Sequence, residues 1–265
     1  MNPRIIGALV LRYAFLYTRN WIRVVELIFW PTMELLVWGF LTTFIERQTT
    51  GDFPMFIRFL IGAMIFWDVL FRSQQAVAIS FLEDVWTRNL LNIFVAPIRV
   101  TEYLAATFAF GMIRVTITVV LLAILAKLMY EFNLFDFQWN LIPFFANLLL
   151  FGWSLGMIST ALIMRWGQAA EALAWAVPFM IQPFSAVFYP VDVLPEPLQV
   201  VAWMIPSTYV FEGMRTVLQQ GSMAWTDFAL ATGMNLIFLV LAGAFFAFMY
   251  DQARQKGLLT KVATQ

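Results

Sequence analysis

The chain has 265 residues, 62% of them hydrophobic and 12% charged, with 28 Phe and 11 Trp; no soluble domain of this size hides so much apolar surface. Its net charge of zero gives no support to a nucleic-acid partner, which needs a concentrated basic surface. With no Cys and no His, the chain lacks thiol nucleophiles, imidazole bases, disulfides and the usual zinc and haem ligands, so no catalytic residue, metal site or cofactor is expected.

The composition implies an all-α polytopic membrane protein forming a single transmembrane domain over 1–265. Residues 1–22 read as an amphipathic helix on the membrane surface. Arg4, Arg12 and Arg19, followed by Arg23, fall within roughly a 100-degree arc, and Ile6, Val10, Tyr13, Tyr17 and Trp21 gather opposite. The plainer alternative is that this is the wet beginning of the first span. The opening MNPRIIGALVLRYAF lacks a small-residue cleavage site after a compact apolar core, so no removable signal peptide is expected.

Six transmembrane helices are predicted at about 24–45, 55–78, 104–128, 141–164, 170–188 and 228–250, each long enough at about 1.5 Å per residue for a core about 30 Å thick. Most Lys and Arg residues fall on the face carrying both termini and residues 80–103, which the positive-inside bias places in the cytoplasm of a plasma (inner) membrane protein. The stretch 80–103 is polar enough to leave the membrane as a short cytoplasmic helix. The outer connections 46–54 and 129–140 are short. Segment 189–225 is not: it holds two apolar pieces, 198–204 and 207–218, too short to cross and bracketed by Pro190, Pro195, Pro197 and Pro206. A re-entrant helical hairpin on the outer side, capping a pathway, fits this pattern.

Charges inside spans are costly and need a reason. Glu34, Asp68 and Arg114 fall at similar depths in the first three spans, so a buried cluster with Arg114 as shared counterion is expected. Its purpose is to lock the helices, to contact or gate a substrate, or to relay protons. Glu26 and Arg72 match in depth as a second pair. Trp30, Glu34 and Trp38 form a stripe at i, i+4 spacing, suited to stacking on a flat amphiphile or sugar and equally to packing or lipid contact. Trp139, Trp203 and Trp225 sit at outer boundaries as interfacial anchors. Gly152 and Gly156 mark a close helix contact, in this subunit or its twin. Pro178 and Pro183 kink the fifth span, as a hinge or as fixed geometry. Glu212 and Arg215, one turn apart, read as a surface pair worth little to stability, whose value is to hold the cap shut.

On LLNIFVAPIRVTEY, VFYPVDVLP and IPSTYVFEGMR, with the order of elements around them, the chain resembles the membrane permease subunits of type-2 ABC exporters, which move polysaccharides and hydrophobic drugs. It departs from many relatives in carrying Ala186, where they have Gly before the FYP element. The resemblance implies two such subunits facing each other, each docked on an ABC-type ATPase, in contact with membrane lipids. It places the helix between spans two and three in a cleft of that ATPase, with Glu83, Asp84, Arg88, Leu90, Leu91 and Pro97 at the contact. The outer cap read from the proline-bracketed segment comprises Tyr189, Pro190, Pro195, Pro206, Glu212 and Arg215. The chain has no phosphate-cradling GxxxxGK[ST] loop, so the energy comes from the partner.

The leading expectation is therefore one half of an ATP-driven exporter of an amphipathic, lipid-like or lipid-linked molecule. Alternatives are a hydrophobic drug efflux permease of the same architecture, a transporter run by an ion gradient through Glu34, Asp68 and Arg114, and an intramembrane enzyme acting on lipid. The last has little chemistry to build from.

Overall fold

A computed structural model describes residues 1–48, 54–135, 139 and 141–256; the expected connection 46–54 and part of 129–140 lie outside these residues. The described chain is all helical. Helix α1 (Pro3–Thr18) starts on Pro3 after Asn2, whose side chain accepts the Arg4 amide at 3.0 Å. A break at Arg19 and Asn20 lets α2 (Trp21–Gln48) begin, with the Asn20 side chain capping Ile22 at 3.2 Å. Then come α3 (Pro54–Trp86), α4 (Leu90–Val95), α5 (Val100–Tyr130) and α6 (Leu141–Trp166). Beyond α6 lie α7 (Leu173–Ile181), α8 (Glu196–Trp203), α9 (Pro206–Gln220) and α10 (Trp225–Gln255).

Four of these helices, α2, α5, α6 and α10, are long and apolar enough to cross a membrane. Helix α3 is longer than any of them at 33 residues, yet it carries Asp68, Arg72, Ser73, Gln74, Gln75, Glu83 and Asp84, all buried. It tolerates them because it is the central helix, with α2, α5, α6, α7 and α9 around it, so its polar groups meet protein and not lipid. Two apolar cores meet along it. One runs from Leu60 to Leu70 with Phe144, Val210 and Met214, the other from Val77 to Val85 with Leu90, Tyr103 and Phe246. The polar layer 72–75 divides them.

The glycine pair of α6 settles its own question: it faces α3 within the same chain. A Cβ on Gly152 would run into Ser73 Oγ and stand 2.6 Å from the Leu70 carbonyl, and one on Gly156 would stand 2.6 Å from the Gln74 carbonyl. Gly111 of α5 meets Ala76 on the other side of the same helix. The sequence reading missed a second clamp, between α6 and α10. There Asn235 Nδ2 donates to Asn147 O at 3.0 Å and to its Oδ1 at 2.9 Å, and Asn147 Nδ2 reaches Thr232 Oγ1 at 3.2 Å.

The expected fifth span over 170–188, kinked at Pro178 and Pro183, is broken into short pieces. The chain there forms a 3-10 turn (Gly167–Ala170), α7 of 9 residues, and another 3-10 turn (Gln182–Phe184). Pro178 inside α7 and Pro183 just after it each remove a backbone donor, and α7 alone, at about 1.5 Å per residue, cannot cross. Segments 198–204 and 207–218 fall on α8 and α9, two short helices separated by Met204 and Ile205.

Candidate functional site

Three assemblies carry chemistry. The first lies where α3 ends. Glu83 and Asp84 do not project from a free cytoplasmic helix; they belong to the last turns of α3, 2% and 0% exposed. Asp84 takes Arg12 Nη2 at 2.6 Å through one oxygen and the hydroxyls of Tyr13 and Tyr103, each at 3.0 Å, through the other. Burial pushes the Asp84 carboxyl up, and Arg12 with the two hydroxyls pulls it back. Glu83 pairs with Arg23 Nη1 at 2.8 Å. These two carboxylates therefore strap α1 and the start of α2 to α3. Tyr13 is fully buried and stacks on Phe110 of α5, with ring centroids 5.7 Å apart. The tyrosine face of α1 thus packs on protein, while Leu11 and Phe15 are the half-exposed apolar residues of that helix.

Glu102 completes the strap. Its carboxylate accepts the amides of Asn2 at 2.7 Å and Arg99 at 3.0 Å, and those hydrogen bonds hold its carboxyl below the ordinary glutamate value.

The turn after α3 closes with Asn89 N–H on Asp84 O (3.0 Å) and Arg88 N–H on Val85 O (2.9 Å), the Schellman pattern. Arg88 holds the left-handed position, φ 53, where glycine is cheaper, and its side chain is exposed. Leu90 is buried, Pro97 is exposed, Val95 is 85% exposed, and the Leu91 side chain lies outside the described part. The expected coupling helix 80–103 is thus two turns of α3, a tight turn, α4 and the start of α5.

The second assembly is a cavity of about 730 Å³ between α2, α3 and α7, reached by Tyr17 of α1 and Arg114 of α5. Trp30, Glu34 and Trp38 line it, as do Phe71, Trp175 and Phe179. Among the described residues Arg114 forms no ion pair with Glu34 or Asp68, although it lies near Asp68. Asp68 pairs along its own helix with Arg72, Nε to Oδ2 at 2.6 Å, and this also takes Arg72 away from Glu26. Arg114 lies over the Tyr17 ring, 4.6 Å from its centroid.

The third assembly is the loop before α8. Arg215 donates to the carbonyls of Ala186, Val187 (3.3 Å) and Tyr189 (2.7 Å), sits 4.4 Å over the Phe59 ring, and pairs with Glu212 at 2.9 Å. Glu212 in turn accepts the Val191 amide at 2.8 Å. The expected surface pair is mostly buried and staples segment 186–191 onto α9. Ala186 is left-handed, φ 51, and fully buried, so it occupies a turn that glycine would fill with less strain. Pro190 and Pro195 precede a 3-10 turn and α8, and Pro206 opens α9. Tyr189 closes the loop by donating its hydroxyl to Pro183 O at 2.5 Å.

Trp139, Trp203 and Trp225 are 84%, 40% and 70% exposed.

The family described as "ABC-2 family transporter protein" matches residues 42–249, most of the chain, leaving out α1 and the first three quarters of α2 with Trp30, Glu34 and Trp38. No curated protein matches it.

Proposed function

Since the chain belongs to the ABC-2 transporter family, whose members are membrane subunits of ABC transporters, we propose that it exports an amphipathic, lipid-like or lipid-linked molecule from the cytoplasm or inner leaflet. Two copies face each other and two ATPase subunits drive them. The ATPase docks on the turn around Arg88 and α4, on the cytoplasmic side of the plasma membrane, where both termini also lie.

The observation that carries this reading is the build of that turn. Its acidic residues are used inward, strapping α1, α2 and α5 into one body with the end of α3, while Arg88 and Val95 are turned outward. An arginine kept in a left-handed position costs about 1 to 2 kcal/mol relative to glycine, a strain that fits a surface retained for contact. A push on the turn moves four helices together, and α3 carries the motion past the cavity toward the cap. The aromatic walls of the cavity with charges among them suit an amphipathic cargo. A second copy facing this cavity would close over Trp30 and Phe179, which are 64% and 54% exposed.

Co-purification tests the proposal. A tagged chain should bring down an ATPase in equal amounts, and Arg88→Glu with Val95→Asp should abolish that association while the chain still elutes as a folded species. A chain that never retains an ATPase contradicts it. Transport that survives vanadate and follows a pH gradient would favour the ion-driven alternative.

A further inference from the structure

Of the charges lining the cavity, Arg23 is paired with Glu83 and Arg72 with Asp68, and Glu26 is exposed. Two groups remain. Arg114 is 9% exposed, and its Nε and Nη1 have no hydrogen-bond partner. A guanidinium so far from water with a ring as its neighbour is a prepared seat for a carboxylate or phosphate, which it can grip with two parallel N–H donors. Glu34 forms no ion pair among the described residues and has Trp30 and Trp38 four positions away on either side, all three lining the same cavity. A carboxylate flanked by two indoles is the chemistry that holds an ammonium group, by charge and by the ring faces.

Asp68 interacts electrostatically with both Arg72 and Arg114, and Glu34 with Asp68 and Arg72, so the neutral Asp68–Arg72 pair lies near both unpaired groups. Arg114 also lies near Glu83, but Glu83 and Asp68 each form their ion pair with another arginine, so a ligand of single charge would pair one of the two remaining groups and leave the other without an ion-pair partner of its own. A ligand with both charges balances both.

We propose that this cavity binds a zwitterionic amphiphile, its anionic group on Arg114 and its ammonium on Glu34 between Trp30 and Trp38. Its apolar part lies against Phe71, Trp175 and Phe179. This deepens the export reading and rests on it for the site's purpose, not for the binding.

The test uses the full chain in uncharged dodecyl maltoside, titrated with three probes of one tail length: dodecylphosphocholine, dodecyl phosphate and dodecyltrimethylammonium. Tryptophan fluorescence reports occupancy. Dodecylphosphocholine should saturate at a concentration at least about tenfold below either singly charged probe. Arg114→Gln and Glu34→Gln should each remove most of that advantage, with Arg114→Lys restoring part of it. Should Arg114→Gln fail to fold, Glu34→Gln alone decides, since it breaks no ion pair. Equal midpoints for the three probes, or an unchanged titration in Glu34→Gln, overturn the proposal. So does an acidic residue of a second copy cross-linking at Arg114, because the guanidinium then has its partner already. Loss of the headgroup preference in a chain that still binds an ATPase sinks this inference alone; binding without any ATPase sinks the export reading alone.

Discussion

At the scale of single residues, Asp84 is the most connected acid in the described structure, holding Arg12, Tyr13 and Tyr103 at once. Asp84→Asn should loosen α1 by about 2 kcal/mol, less than a fully sealed ion pair would lose because Arg12 is 25% exposed. Hydrogen exchange over residues 3–18 should rise while α6 stays protected. Glu102 gives a pH signature. Its carboxyl is held below the ordinary glutamate value, so its contribution is complete above that value and fades as pH falls through the lower, folded one. Protection of the Asn2 and Arg99 amides, corrected for intrinsic exchange, should therefore hold from neutral pH past the ordinary value and fail only in stronger acid; Glu102→Gln should show no such step. At the cap, Ala186→Gly should relieve about 1 kcal/mol of left-handed strain and raise the melting temperature.

At the scale of elements, the Gly152 and Gly156 face of α6 fixes how closely α3 is held, because any side chain there meets α3 backbone. Gly152→Leu should misfold the chain or lower its melting temperature sharply, whereas Gly233→Ala, with nothing within 4 Å of an added Cβ, should be tolerated. What could be read ahead of the structure follows the same division. Long apolar helices, the two short helices among the prolines and the glycine pair were legible because each is written in local spacing. The partners of charged groups were not. Asp68 chose Arg72 on its own helix over Arg114, and Glu83 and Asp84 turned inward, because those choices depend on which helices surround α3. Nor did any spacing foretell the Asn147 and Asn235 clamp, whose residues lie 88 positions apart. The breaks in the fifth span were legible for a local reason, since Pro178 lies inside α7 and Pro183 in the 3-10 turn after it.

At the scale of the whole molecule, α3 joins three sites in one line: the strapped turn, the cavity and the core that carries Arg215 and the cap. A central helix gripped by glycines on α6 and α5 is suited to move as a rod, and under the proposed docking, work done at Arg88 would reach Asp68 and beyond. The chain has no native cysteine, so single introduced cysteines report unambiguously where the motor touches. The most direct test places Arg88→Cys or Val95→Cys at the turn, and Val193→Cys, 65% exposed, at the cap, then cross-links in membranes with and without ATP. The account predicts a cross-link to an ATPase from 88 and 95 that changes in yield with nucleotide, and none from 193. Cross-linking from 193 instead, or from none of the three, would contradict it.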